Sequence, residues 1–327
     1  MRKSNLNINN ILSLRPSLLS AYKQIKENNE LLIVYYVVIG VVIIASIFIP
    51  TFRTIYNITN VLVQSIGLGI VSIGQTFVML SGGYDLSVGS IIGLTSCLTS
   101  GIIQGRLGAL IPVLFFVLLV GIAIGAVNGI LISKLKLTPF IATFAMMGMT
   151  RGIIYMYTKK PVGGIPAELS FFAQGFIGPI PFSVFIFLGM LIISSIILKK
   201  KIFGRYLYAV GGNQEYARLS GINTHNIIII TYIISGLFAA VSGIFLTSRM
   251  GIGDTHLGEG YELNSITAVF LGGSMGGRGS VISTYGGVLI VSVIANVLNL
   301  LNVSSFWQMV VKGIILLSVV IIRIKSK

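Results

Sequence analysis

The sequence predicts an all-α integral membrane protein of about ten transmembrane helices, and three observations carry that prediction. Of the 327 residues, 54% are hydrophobic and only 9% are charged, against about 25% charged in an ordinary soluble domain. Such a chain has too few charged groups to coat its own surface in water. Mean hydropathy is +0.95, and the apolar residues fall into runs near the roughly 20 residues that a helix needs to cross the hydrocarbon. The 23 basic residues against 8 acidic ones, a net charge of +15, read in so apolar a chain as unequal loops on the two sides of a membrane. Nucleic acid is not the expected partner; the lipid bilayer is.

Taken in order, the apolar runs are 31–50, 58–80, 86–103, 108–132, 138–157, 181–198, 226–247, 263–274, 281–300 and 304–322. About 30 mixed polar residues precede the first, which has no small-residue cleavage site after it, so the start reads as a retained cytoplasmic segment (1–30) rather than a cleaved leader. The second and third runs flank the polar insert Ser81-Gly82-Gly83-Tyr84-Asp85. The eighth is too short for a full crossing and ends in Gly272-Gly273-Ser274-Met275-Gly276-Gly277. A broken or re-entrant segment is expected near 263–280, where non-helical backbone survives only if buried in protein or lining a wet cavity. The domain reading is one membrane domain, 31–322, with a short tail, 323–327.

Alternating ten spans from a cytoplasmic N-terminus puts most basic residues inside: Arg2, Lys3, Arg15, Lys23 and Lys26, then Lys134 and Lys136, then Lys199, Lys200, Lys201, Arg205 and Arg218, then Arg278 and the tail residues Arg323, Lys325 and Lys327. The outside receives Arg53, Arg106, Lys159, Lys160 and Arg249. That asymmetry obeys the positive-inside rule and predicts both termini on the cytoplasmic side of a bacterial plasma membrane. Trp307, at the outer start of the last run, suits the interfacial aromatic belt.

Gly83-Tyr84-Asp85-Leu86 follows the second run, and Gly260-Tyr261-Glu262-Leu263 precedes the eighth. The two copies lie an odd number of spans apart, which hints at an inverted repeat, the plan of many transporters. Gly121, Gly125 and Gly129 form a small-xxx-small stripe that lets another helix approach closely.

The few polar groups in apolar surroundings are the candidate functional residues. Asp85, followed by Ser87 and Gly89, reads either as a cap at the start of the third helix or as a polar point on a permeation path. Arg151 and Lys312 fall within spans and need a partner or a route to the interface. Tyr84, Asp85, Ser87, Gly89, Arg151, Gly272, Gly273 and Lys312 together form the expected set for a pathway or its gate. Glu259 and Glu262 are expected on an outer loop, as a solvated surface or docking patch, and His225 and His256 on opposite sides of the membrane. The lone Cys97 is expected as a small buried hydrophobe. No phosphate-binding G-x-x-x-x-G-K-[ST] run occurs and no H-E-x-x-H, so the chain offers no catalytic or metal site and no nucleotide site of its own.

Residues 199–225 form the longest inside loop. Within it, Gly212-Asn213-Gln214-Glu215-Tyr216-Ala217-Arg218-Leu219-Ser220-Gly221 predicts a two-turn helix with Asn213 as N-cap, Glu215 in the first turn and Gly221 at the left-handed end. A helix so short gains stability only by docking, and Tyr216, Ala217 and Leu219 are the expected apolar contacts for a partner protein.

The run Glu215-Tyr216-Ala217-Arg218-Leu219-Ser220-Gly221 resembles the E-A-A-x-x-x-G signature of ABC importer permeases, departing from it at Tyr216. Further stretches resemble the permeases of ribose/galactose/xylose-type ABC importers: Gly83 to Ser90, Leu137-Thr138-Pro139-Phe140-Ile141-Ala142-Thr143 with Arg151-Gly152, Phe203-Gly204-Arg205-Tyr206, Ala268 to Gly273, and Asn299 through Phe306-Trp307-Gln308 to Lys312-Gly313. The similarity extends over about residues 30–322. It departs at Tyr84, where the family carries a small aliphatic residue, and in a turn at 274–277 about two residues shorter.

The resemblance implies a permease subunit, not an enzyme. It implies a second permease subunit, identical or similar, and ABC ATPase subunits that bind ATP and Mg and dock on the 199–225 loop. It also implies an extracytoplasmic binding protein that delivers a monosaccharide, with ribose-like pentoses favoured. A permease of the same fold for a nucleoside, a branched-chain amino acid or a sugar-like signal molecule is the alternative, followed by a stand-alone secondary transporter.

Overall fold

The computed structural model describes residues 32–325; segment 1–30 and the last two residues of the tail lie outside the described residues. The fold is all-α apart from one two-residue hairpin. Helix α1 spans Leu32–Phe48. The next four are α2 (Ile55–Leu80), α3 (Val88–Ile103), α4 (Leu110–Ser133) and α5 (Pro139–Tyr157). A short α6 (Ala167–Gln174) and the antiparallel strands β1 (Phe176–Ile177) and β2 (Ile180–Pro181) lead into α7 (Phe182–Lys200). Two short helices, α8 (Ile202–Gly212) and α9 (Gln214–Leu219), precede α10 (Thr224–Met250), α11 (Tyr261–Leu271), α12 (Val281–Leu300) and α13 (Ser305–Lys325). Each of the ten expected runs overlaps one of these helices. Five segments, Ile55–Leu80, Leu107–Ser133, Phe182–Lys200, Thr224–Met250 and Val281–Leu300, are long and apolar enough to cross a membrane by themselves.

Helix α2 is the central post, with 83% of its apolar window buried. It packs against α7, α10, α11 and α12. Around it, Ile70, Val71, Phe77, Val78, Ile91, Ile92 and Phe245 form one continuous core. Because lipid tails are as apolar as leucine, close packing rather than water exclusion must hold such helices together. The tightest pair, α4 on α10, shows how. A Cβ built on Gly121 would meet Gly236 O and Ala240 Cβ, one on Gly125 would meet Tyr232 O, and one on Gly129 would lie 2.7 Å from Ile229 Cα. The glycine stripe expected from sequence is therefore the α4–α10 seam. Gly125→Val is expected to push the two backbones apart and cost about 3 kcal/mol or more, at the upper end of overpacking effects. Thermal unfolding of purified protein in detergent would show this as a lower midpoint or a loss of folded material.

The ends of the helices follow local rules. Ser280 and Ser283 form a reciprocal capping box at the start of α12. Asn213 Oδ1 accepts from Tyr216 N at 3.0 Å, so Asn213 caps α9 as its sequence predicts. Gly221 follows that helix at φ +82°, where a Cβ would be strained. Cys97 is buried, as expected.

Candidate functional site: two broken helices that meet inside the bundle

Two irregular segments interrupt the bundle. Residues 81–87 join α2 to α3, and residues 251–260 join α10 to α11. Contacts trace both paths. The first segment climbs beside α11: Gly277 N donates to Leu80 O at 2.9 Å, the rings of Tyr84 and Phe270 lie 6.2 Å apart, and Leu86 clusters with Ile266. The second descends beside α3: Gly253 packs on Ser96 O and Cys97, Leu257 O on Gly93, and Gly258 on Gly89 and Ile92.

Helices α3 and α11 therefore begin at the same level and run away from each other, with Gly89 against Gly258 O and the Glu262 carboxylate. At 1.5 Å per residue, Gly89 lies about 21 Å from the far end of α3. Ser235, beside Asp85, lies about 17 Å along α10 from its start. Both distances place the junction several helical turns from either end of the bundle. The two Gly-Tyr-acid-Leu turns thus introduce two helices shorter than a full span, α3 of 16 and α11 of 11 residues, that run in opposite directions.

Asp85 is wholly buried at this junction. Its Oδ1 accepts from Ser87 N at 3.0 Å and Ser87 Oγ at 2.6 Å, and its Oδ2 from Ser235 Oγ at 2.8 Å. The surrounding turn is pinned from four helices. Gln75 of α2, with its amide nitrogen turned toward Asp85 O, pairs with both backbone groups of Asp85 at 3.2 Å. Asn128 of α4 donates to Ser87 Oγ at 2.9 Å, and Leu86 N donates to Thr143 Oγ1 of α5 at 3.1 Å. Tyr232 of α10 donates to Tyr84 O at 3.1 Å. Every polar group that an irregular turn exposes at this depth must find such a partner. Gln75, Asn128, Thr143, Tyr232 and Ser235 are absent from the sequence-derived candidates. Their signal was the same one that flagged Asp85, a polar residue inside an apolar run.

The structure corrects one expectation for the acids. Glu262 falls in the first turn of α11 rather than in a loop, and segment 251–260, which carries Glu259, folds back beside α3. Glu262 lies against Gly89, with Gly260 N donating to its Oε1 at 3.2 Å. Glu259 Oε1 meets Arg151 Nη1 at 3.4 Å and His256 Nδ1 at 3.0 Å, and Arg151 Nη1 also donates to Thr255 O at 3.0 Å. Arg151 thus has the partner that its place within α5 requires. Lys312 makes no ion pair among the described residues; it borders a small recess with Asn264, Thr267 and Val291. No group of three His, Cys, Asp or Glu side chains is placed to hold a metal ion among the described residues.

On the side of the bundle that carries α8 and α9, the end of α2 and the 272–280 turn are both clamped to α8. A Cβ on Gly211 would run into Leu80 O and lie 2.6 Å from Gly277 N, and Tyr208 Oη donates to Gly279 O at 2.8 Å. Gly276 N donates to Met79 O at 3.0 Å, which ties the 272–280 turn to the end of α2. Gly272 packs on Ser283 O and Thr284, and Gly273 takes φ +76°. Helix α9 follows α8 directly. Glu215 and Arg218 pair across it at 2.6 Å, and that guanidinium holds the Glu215 carboxyl below its usual range. Tyr216 and Leu219 are 70% and 69% exposed. Ala217, expected beside them as a contact for a partner, is instead buried in this chain's own core, because it faces α10 rather than outward. A cavity of about 530 Å³ opens here, lined by Gly82, Gly83, Ser133, Gln214, His225 and Tyr232 among others. It connects the start of α9 to the turn that carries Asp85.

Comparison with known proteins places this architecture. A family model described as branched-chain amino acid transport system / permease component matches residues 57–320. The ribose import permease protein of Bacillus subtilis (strain 168) is 42% identical over 292 residues, 87% of this chain and 90% of that protein. The L-arabinose transport system permease protein of Escherichia coli (strain K12) is 38% identical over 305 residues, with 89% and 90% covered. The galactose/methyl galactoside import permease protein of the same strain is 33% identical over 304 residues, with 86% and 90% covered. No solved structure matches the chain. With most of its length matched both by the family model and by these permeases, the chain belongs to the family of ABC importer permease components, and its long apolar helices are those of a multi-pass membrane protein.

Proposed function

We propose that this chain forms the translocation pathway of an ATP-driven importer for a monosaccharide, with a ribose-like pentose the favoured substrate. The reading rests on one observation above all: α9 presents exposed Tyr216 and Leu219 on a capped two-turn helix, and α8 beside it is packed onto the end of α2 and the 272–280 turn. The relatives' names support the substrate class: ribose permeases are 37% to 42% identical, an arabinose permease 38% and a galactose permease 33%.

In this reading the chain sits in the bacterial cytoplasmic membrane with both termini inside. A second permease subunit completes the pathway, and a soluble extracytoplasmic protein delivers the sugar. ATPase subunits bind ATP and Mg and dock on Gly212, Asn213, Glu215, Tyr216, Arg218 and Gly221, with Ala217 anchoring α9 from beneath. Closure of the ATPase pair pushes α9, and α8 passes the displacement to Leu80 and to the Gly272–Gly273 turn. Tyr84, Asp85, Ser87 and Gly89 then shift against α11, and Arg151 and Lys312 move with the walls of the pathway. Packed interfaces of this kind switch between discrete arrangements rather than deform smoothly.

The test is uptake into proteoliposomes holding the permease and its ATPase, with the purified binding protein outside. Radiolabelled D-ribose, L-arabinose, D-galactose, a nucleoside and leucine are compared. ATP-dependent accumulation of D-ribose ahead of the others is expected. Preference for leucine or the nucleoside would replace the sugar with that solute.

A further inference from the structure

We infer that Arg151, Glu259 and His256 form the station at which the pathway holds its sugar, within the bundle and about 9 Å from the Tyr157 end of α5. This rests on the reading of the chain as a monosaccharide permease. Depth comes first. Glu259 follows Gly258, which packs on Gly89 at the junction of α3 and α11. Arg151 lies about 18 Å along α5 from Pro139.

Exposure comes second. The side chains of Glu259 and His256 are 50% and 69% exposed, and that of Arg151 18%. Charged groups open at this depth cannot face lipid, so the face they share must be wet. Segment 251–260 is also irregular backbone at membrane depth, tolerated only in protein or beside a water-filled space.

The free valences decide the ligand. Glu259 Oε1 receives both Arg151 and His256, which leaves Oε2 as an open acceptor. Arg151 uses only Nη1, so its Nε and Nη2 donors have no partner among the described residues. The second ring nitrogen of His256 is likewise free. Fixed donors beside a fixed acceptor match neighbouring hydroxyls of a sugar, each of which both donates and accepts. Room exists beside the set, since Gly148 and Gly152 flank Arg151 with nothing within 4 Å of where a Cβ would stand. Tyr155, one turn further along α5 and 43% exposed, offers an aromatic face to a sugar's C–H groups.

The experiment uses the assembled importer in proteoliposomes, with permease, ATPase and binding protein. Glu259→Gln and His256→Ala are each expected to lower D-ribose uptake by about tenfold, the loss of a hydrogen bond to a charged or fixed polar group, while the complex still assembles. In a Cys97→Ser background, His256→Cys is expected to react with a small membrane-impermeant methanethiosulfonate, and saturation with ribose-loaded binding protein and vanadate-trapped ATPase should change the rate. A thiol that never reacts, or variants that import ribose as fast as wild type, would overturn the inference. A wild-type importer that takes no monosaccharide at all would instead overturn the sugar reading on which it rests.

Discussion

Asp85→Ala is expected to leave the permease poorly folded and without measurable uptake. Removing the carboxylate strands Ser87 N–H, Ser87 Oγ and Ser235 Oγ in a site with no exposure. A buried donor left without a partner costs about 1–3 kcal/mol. The two hydroxyls can turn elsewhere, but the amide cannot, so a net loss of about 1–3 kcal/mol is expected. Asp85→Asn keeps one carbonyl oxygen to accept from Ser87 and should fall between wild type and Asp85→Ala. The check is the thermal unfolding midpoint of the purified permease in detergent, read beside uptake. Unchanged stability in Asp85→Ala would mean that the turn is not held by this network.

Leu219→Asp should give the opposite separation, with coupling lost and fold kept. Leu219 is 69% exposed at the end of α9 and lies outside the chain's own core. A charge there costs the isolated permease little, because exposed substitutions usually stay within about 0.5 kcal/mol. It would be buried against the ATPase in the complex, where an unpaired charge costs several times more. Uptake and ATPase co-purification are expected to fall at least about tenfold, while the detergent unfolding midpoint stays near wild type. Glu215→Lys should act the same way and add a like-charge clash with Arg218 three residues on. Ala217 is the contrasting position: a large side chain there would damage the fold itself, since the residue is only 5% exposed.

The outline of this fold was legible because a bilayer imposes simple rules. Apolar runs located ten helices, five of them in segments long and apolar enough to cross a membrane by themselves, and the spacing of Gly121, Gly125 and Gly129 gave the α4–α10 seam. Asn213 and Gly221 gave the ends of α9 through capping chemistry. Three features escaped for physical reasons. Helix α8 was hidden because its buried face, Gly204, Leu207 and Val210, sits in a stretch too basic to read as a span. The inward course of 251–260 was hidden because its residues, Asp254, His256 and Glu259 among them, have the composition of a solvated loop; only burial beside α3 distinguishes the two. The pins around Asp85 come from four different helices, and no single-chain pattern aligns Gln75 with Asn128, Thr143 and Ser235. Arg151 and Lys312 were legible as groups needing a partner or a route to the interface; tertiary packing gives Arg151 its partner in Glu259, while Lys312 has no ion pair among the described residues.

The proposed function requires that ATP binding at a partner drive this pathway through α9. The most direct measurement is D-ribose accumulation in proteoliposomes holding permease and ATPase, with binding protein outside and ATP within, before and after Leu219→Asp. The account predicts accumulation that needs ATP and all three proteins and is lost in the variant. Accumulation by the permease alone, driven by a proton or sodium gradient and indifferent to ATP and to Leu219→Asp, would contradict it.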